Sequence, residues 1–280
     1  MRNQIILPGL AVCGGAAGFA VRKWLWLSAY DPASELFAKG SPAVMALGGL
    51  LLVMAAVLFL LSKKAAPDHP GCVPPTCPDP LYMCLMASGA FVFFGAGVLG
   101  LLEGMDQLQL WRSGMAMVLS YPAALLLCGG LCLVSGVCVL AVGKSAYRPG
   151  SGDKAGLFAV IPPFTMLVWL FATHQAHATD PVFLRYGVYL TAAALLMLAH
   201  YDAAAFYQGH RHTHRFLFCS LMGSVLALTS LADGLSLFQM AMAAACVVTA
   251  QAQCFALLYH GQPAPGHDAP ASDSPDFPEL

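Results

Sequence analysis

Apolar residues along this chain form long runs, and polar residues fall into the short gaps between them. The runs lie at about residues 5–21, 43–61, 81–102, 116–142, 157–172, 182–206, 216–231 and 237–259. A helix needs roughly 20 mostly apolar residues to cross a bilayer, and the alternating pattern of barrel strands is absent. The pattern therefore predicts an all-α fold, a polytopic transmembrane helical bundle of about eight spans.

Composition agrees with a lipid bilayer as the surroundings of this chain. Hydrophobic residues make up 59% of the sequence, charged residues make up 10%, and the mean hydropathy is +0.71. A soluble domain carries about a quarter charged residues. The net charge of −1 offers no basic face for phosphates, so we expect no nucleic-acid partner. Most of the ten cysteines lie inside apolar runs, where they are expected to act as small core residues.

The membrane domain is expected to cover residues 1–260. Residues 261–280 are rich in Pro, Asp and Ser, which is typical of a disordered tail. Arg2 followed by an apolar run also resembles a signal peptide. Arg22 and Lys23 directly after the run, and the lack of a clear cleavage site, favour a retained first span.

Basic residues indicate the orientation, because cytoplasmic loops of membrane proteins are enriched in Lys and Arg. An even number of spans places both termini on one side. That side holds Arg2, Lys63, Lys64, Lys144, Arg148, Lys154, Arg211 and Arg215. The opposite, outer side holds Arg22, Lys23, Lys39, Arg112 and Arg185. The excess of basic residues on the first side predicts that both termini lie on the cytoplasmic side of the plasma membrane.

Two pairs of turns repeat in matching order along the chain. Tyr-Asp-Pro at Asp31 is echoed by Thr-Asp-Pro at Asp180, and Leu-Leu-Glu-Gly at Glu103 is echoed by Leu-Ala-Asp-Gly at Asp233. The alternative is that these are common turn and cap sequences, since Asp, Pro and Gly favour turn geometry. If the echoes reflect duplication, they predict a four-plus-four parallel repeat of residues 1–142 and 155–260.

Polar side chains at the outer ends of the runs form the first candidate site. They are Glu103, Asp106, His174, His177, Asp180 and Asp233. Imidazoles and carboxylates at a membrane boundary can bind a divalent metal, relay protons or hydrogen-bond the carbonyl of a quinone. The alternative is that these groups are helix caps in interfacial water.

A second candidate group, His200, Tyr201 and Asp202, lies near the inner end of the sixth run. Ionisable residues at membrane depth are costly and mark functional sites. The following alternating run from His210 to Arg215 can bind metal or respond to pH, or can serve as a basic cytoplasmic loop.

Other signatures of chemistry are missing from the sequence. No hydrolytic, phosphate-binding or nucleophile motif is present, so we do not expect the chain to be an enzyme by itself. We also predict no metal site, because Cys72 and Cys77 lack a second cysteine pair. A haem site is not expected, since no run places a His at its centre.

Three segments resemble an uncharacterised family of bacterial multi-pass membrane proteins. They read LPGLAVCGGAAGF at residues 7–19, HATDP at residues 177–181 and LADGL at residues 231–235. In size and number of spans the chain is also similar to the quinol-handling membrane anchor subunits of molybdoenzymes of the dimethyl-sulfoxide-reductase type. This second similarity concerns architecture only, and it implies no residue roles.

Our leading hypothesis is an integral membrane subunit without hydrolytic chemistry, an anchor whose outer polar cluster handles a quinone or protons. A soluble redox partner subunit is the partner that this hypothesis implies. The alternative is a secondary transporter of a small solute, which the predicted repeat, the prolines near span ends and the polar residues Asp202, Gln251 and Gln253 favour.

The topology predicts opposite accessibility for two introduced cysteines, Ser151→Cys and Thr179→Cys. An impermeant thiol reagent should label the first only from the cytoplasm and the second only from outside. Labelling of Thr179→Cys from the cytoplasmic side alone would reverse the orientation.

Overall fold

The structure is a computed structural model that describes residues 3–31, 34, 36–38, 40–66, 76–115, 119–148, 155–177, 182–210 and 212–260. Its helices are α1 (Asn3–Ala29), α2 (Pro42–Ala65), α3 (Pro80–Arg112), α4 (Ser120–Tyr147), α5 (Ala155–Ala159), α6 (Ile161–Ala176), α7 (Phe183–Phe206), α8 (Thr213–Ser230) and α9 (Leu237–His260). A short hairpin pairs β1 (Tyr30–Asp31) with β2 (Leu36–Phe37), and a 3-10 turn follows α8 (Leu231–Asp233). The predicted tail and Asp180 lie outside the described residues.

Among the described residues, eight helical segments are long and apolar enough to cross a membrane, which confirms the predicted number of spans. In this count α5 and α6 form one span, and α8 with its 3-10 turn forms another. The chain is thus a multi-pass integral membrane protein. We call the bundle end at which α1 begins and α9 ends the inner end, and the opposite end the outer end. The location of the inner end in the cytoplasm stays a prediction.

The predicted end of the third span at Leu102 is wrong, because α3 continues to Arg112. Residues 103–112 are mostly good helix formers, and Gly104 does not end the helix. A Cβ at Gly104 would lie 2.9 Å from Leu126 on α4, so this glycine permits close helix contact. Gly234 does adopt the left-handed conformation expected of a turn glycine, with φ of 69°.

The fifth span is broken near Val160, where α5 ends and α6 begins. Pro162 and Pro163 lie in the first turn of α6. Proline lacks the N–H that an interior helical bond needs, but the first turn leaves its N–H groups without intrahelical partners. The tandem proline therefore coincides with the break in the span.

α8 and α9 form the centre of the bundle. In the most apolar stretch of each span, 78% of the α8 residues are buried in the bundle, compared with 17% of the α2 residues. Most of α2 therefore faces lipid. α8 packs against α7, α1 and α2, and α9 packs against α3 and α8. α4 lies between α3 and α6 and completes the second side of the bundle.

α3 and α4 make the most extensive helix contact, and their backbones touch through glycines. A Cβ on Gly129 would lie 2.8 Å from the Leu101 nitrogen and 3.0 Å from the Gly97 oxygen. Small residues let helices approach closely where lipid gives no hydrophobic drive for association. Two further glycine pairs at four-residue spacing, Gly14 with Gly18 and Gly100 with Gly104, also lie in such contacts.

The two halves of the chain have different helix neighbours. In the predicted repeat, α2 and α3 of the first half correspond to α7 and α8 of the second half. α7 packs along α8, whereas α2 and α3 make little contact with each other. Glu103 lies within a helix and Asp233 lies in a 3-10 turn, so their local structures also differ. The predicted superposition of Asp31 on Asp180 falls outside the described residues. The four-plus-four repeat stays a prediction.

The α3–α4 contact predicts different effects for two adjacent glycines. Gly129→Ala should lower the free energy of unfolding by about 1–3 kcal/mol, because its Cβ would overlap backbone atoms. Gly130→Ala is the matched control, since no atom lies within 4 Å of its added Cβ. The stability of both variants is measured by thermal unfolding in detergent, with the labelling of buried cysteines such as Cys128 as the signal of unfolding. Equal stability of the two variants would contradict the close packing.

Candidate functional site

A buried ion pair joins α1 to the 3-10 turn at the outer end. The Arg22 Nε lies 2.6 Å from the Asp233 Oδ1, and the side chains are 0% and 4% exposed. The indole N–H of Trp26 donates to the same oxygen at 2.8 Å. The Arg22 guanidinium also lies 5.9 Å from the Trp26 ring centre, within the range of a cation–π interaction.

Arg22 also ties α1 to the start of α7. Its Nη2 donates to the backbone carbonyls of Leu184 at 2.6 Å and Arg185 at 3.2 Å. The Arg22 Nη1 and the Asp233 Oδ2 are buried without a hydrogen-bond partner in the described part of the chain. The pair thus locks three helices together, and one donor and one acceptor stay unsatisfied.

The other predicted outer residues have different neighbours. Glu103 lies beside the Tyr121 hydroxyl, where α3 meets α4. His177 stacks on Tyr186 with ring centres 4.7 Å apart, which links α6 to α7. His174 and Asp106 are exposed.

The predicted outer cluster is therefore spread over three helix pairs among the residues that the structure describes. Asp180 cannot be placed. Arg22 directly follows the first apolar run in the sequence, and its pairing with Asp233 is not predicted from the run pattern. The sequence does contain a signal for such a pair, because Arg22 lies among the mostly apolar residues that form α1. A charge at membrane depth requires a partner.

The residues of the predicted inner group, His200, Tyr201 and Asp202, also lie in different surroundings. Tyr201 is 57% exposed, and Asp202 is buried. The Asp202 carboxylate accepts hydrogen bonds from Arg215 Nε at 2.8 Å and from Arg215 Nη2. This bidentate pair closes the turn between α7 and α8, and it neutralises an acid that would otherwise be buried alone.

His200 lies in the core, where it is 2% exposed. Its Nδ1 lies 2.9 Å from the Leu196 carbonyl oxygen, so Nδ1 carries a proton and donates. Its Nε2 lies 2.9 Å from the hydroxyl of Thr249, at the middle of α9. A neutral imidazole accepts from this hydroxyl; an imidazolium donates to it, and the hydroxyl then donates to the Ala245 carbonyl at 2.8 Å. The Thr249 hydroxyl thus accommodates either protonation state.

Two small cavities lie between His200 and the inner end. One, of about 10 Å³, is lined by His200, Tyr207 and Gln253, and the other, of about 20 Å³, by Tyr82, Tyr207 and Gln253. The Gln253 Oε1 is buried without a protein partner among the described residues. A cavity of about 10–15 Å³ has room for one water. We call His200, Thr249, Gln253, Tyr207 and Tyr82 the inner polar track.

Tyr207 ends the track at the boundary of the span. Burial raises the pKa of its phenol, and a hydrogen bond with Ser145 partly offsets this rise. The phenol therefore stays protonated at neutral pH and can donate a hydrogen bond. Ser145 lies in the last turn of α4, so Tyr207 connects the track to the inner end of a second helix.

Sulfur-containing side chains separate the inner polar track from the outer half of the core. The Cys132 Sγ lies 3.5 Å from the Met242 Sδ, and Cys128 and Cys246 lie nearby. Beyond them, the indole N–H of Trp169 donates to the Tyr189 hydroxyl at 2.9 Å. This apolar layer ends the track near the middle of the bundle.

The described part of the chain contains no group of three or more His, Cys, Asp or Glu side chains arranged to hold a metal. In the alternating His run, the His214 imidazole lies 3.3 Å from the Phe59 carbonyl and packs edge-on against the Phe59 ring. His210 and His212 are exposed, and Arg211 lies outside the described residues. Cys77 is buried, whereas Cys72 cannot be placed.

Comparisons with known proteins identify no relative. No protein-family model, curated protein or solved structure matches the chain. The predicted resemblance to a bacterial multi-pass family and to anchor subunits thus stays a prediction.

The outer ion pair predicts strong coupling between two substitutions. Asp233→Leu and Arg22→Met should each lower the free energy of unfolding by about 3–5 kcal/mol, because the other charged group would be left buried without its partner. The double variant Arg22→Met with Asp233→Leu should recover much of this loss. Asp106→Asn, an exposed acid on the same side, is the control. Thermal unfolding in detergent measures all four, and additive losses would contradict the pair.

Proposed function

We propose that this integral membrane protein handles protons inside its bundle, through the inner polar track. The observation that carries the proposal is the buried His200 bonded to Thr249 at the middle of α9. Imidazole is the side chain whose charge changes most readily near neutral pH. A buried ionisable residue in a membrane bundle is a functional candidate by default, because its burial is costly.

The track supplies groups through which a proton can pass between His200 and the inner end. Gln253 lies between the two small cavities, and Tyr207 reaches Ser145 at the inner end of α4. Each cavity has room for about one water, and hydroxyl, amide and water groups can form a continuous hydrogen-bonded chain. The sulfur-containing layer beyond Thr249 closes the route toward the outer end. This arrangement suits a gated half-pathway better than an open pore.

The predicted anchor role gives this proton handling a context. In that role, a soluble redox partner subunit takes up or releases the protons. The architecture of eight spans supports an anchor. A quinone at the outer end has less support, since the cavity of Tyr121, Trp169 and Gln239 there is about 10 Å³, far below the roughly 300 Å³ or more of common ligand pockets.

Proton-coupled secondary transport is the second candidate, and the broken fifth span favours it. Discontinuous helices commonly form the substrate and ion sites of transporters. Ala159 and Pro162, on either side of the break, line the cavity that also contains His200. A movement at the break would therefore change the inner polar track directly.

Proton flux into liposomes tests the proposal. Purified protein is reconstituted with a pH-sensitive dye inside, and a potassium diffusion potential drives proton entry. The proton flux with the wild-type protein should exceed the flux into protein-free liposomes. His200→Gln and Gln253→Leu should each reduce this excess flux by roughly tenfold, which corresponds to about 1.4 kcal/mol in barrier height. His174→Gln, an exposed imidazole at the outer end, should leave the flux unchanged.

Two results would count against proton handling by this track. One is a wild-type flux equal to that of protein-free liposomes. The other is an equal flux in the His200→Gln and His174→Gln variants. If the flux instead depends on an added solute, the transporter is favoured over the anchor.

A further inference from the structure

A groove opens at the inner end, beside the break between α5 and α6. Its volume is about 410 Å³, within the range of small-molecule sites. One wall is apolar and comes from Val160 and Pro163 at the break and Ala204 and Ala205 on α7. This groove is separate from the inner polar track, although Ala204 contributes to the walls of both.

The groove crosses the boundary of the membrane. Tyr201 and Val160 lie within spans and are 57% and 41% exposed, so this part of the groove faces lipid. Gln208, His210 and His212 follow the end of the α7 span and are exposed. The groove is therefore apolar toward the bilayer and polar toward the aqueous side.

The polar part of the groove holds one cationic side chain. Arg215 lines it and has a side chain that is 46% exposed. Asp202 binds Nε and Nη2 of this arginine, and its own side chain is 0% exposed. A guanidinium has five N–H donors, so about three stay available for a ligand. No acidic side chain is among the described residues that line the groove.

Asp202 also fixes the position of the arginine. A bidentate carboxylate holds the guanidinium plane in one orientation, and a donor held in place loses less entropy when a ligand binds. The exposed imidazoles of His210 and His212 add hydrogen-bond donors at the same rim. Together these groups match an anionic phosphate with an apolar body attached.

We propose that this groove binds the phosphate head group of an anionic phospholipid from the leaflet at the inner end. The phosphate lies against Arg215 and the two imidazoles, and the glycerol and first acyl carbons lie against Tyr201, Val160 and Pro163. Basic residues close to an anionic leaflet are attracted to its head groups. This site does not depend on the proposed proton handling.

Native mass spectrometry of the full-length protein in detergent tests the site, with phosphatidylglycerol and phosphatidylcholine of identical acyl chains as probes. One phosphatidylglycerol should stay bound with at least fivefold higher affinity than phosphatidylcholine. Arg215→Gln, and separately the double variant His210→Ala with His212→Ala, should each reduce phosphatidylglycerol affinity by about fivefold to tenfold. The histidine variant keeps the Asp202–Arg215 pair, so it tests the groove even if Arg215→Gln misfolds.

Lys23→Gln is the matched control, because Lys23 is an exposed cation at the outer end and its loss should leave affinity unchanged. Equal binding of the two lipids, or equal losses in Lys23→Gln and the histidine variant, would overturn the proposal. Displacement of the lipid by millimolar inorganic phosphate would identify a site for soluble anions instead. Preferential retention of a short-chain quinone over phosphatidylglycerol would also overturn it.

Discussion

Lipid offers no hydrogen-bond partner, and this constraint governs the interior of the bundle. The buried polar groups largely meet it within the protein. Arg22 bonds to Asp233, Asp202 bonds to Arg215, and His200 bonds to Thr249. Serines and threonines in the core donate to carbonyls one turn earlier, as Ser224 does to Ser220. These pairings fix which helices meet at each end and at the middle.

Close helix contact makes the polar pairings geometrically feasible. Gly15 and Gly18 bring α1 against Leu228 and Thr229 on α8. About one turn further along α1, Arg22 can then reach the acid in the turn that follows α8. Larger residues at the glycines would separate the helices and weaken both packing and charge pairing. Packing and electrostatics therefore stabilise the same interface.

The features on which both proposals rest lie at the inner end, around the broken fifth span. The break contributes Ala159 and Pro162 to the cavity that contains His200, and Val160 and Pro163 to the groove on the other side. A short run of residues thus forms part of the wall between a buried polar track and a lipid-facing surface. Pro162 and Pro163 have no N–H to donate, so the backbone at the break has fewer hydrogen bonds than an unbroken helix. The proposed proton handling and lipid binding would therefore both involve residues of this break.

Sequence periodicity determined the number and placement of the spans, because crossing a bilayer imposes a length and an apolar composition on every span. Local backbone chemistry likewise suits Pro162 and Pro163 to the break in the fifth span, and Gly14 and Gly100 to close helix contacts. The periodicity could not determine which side chains contact each other between helices. The outer residues shared a depth in the sequence, yet Glu103 and His177 face different helices, and Asp233 pairs with an arginine 211 positions away. Depth follows from the order of residues along one helix, whereas side-chain contacts depend on helix rotation and neighbour choice, which only the packed bundle decides.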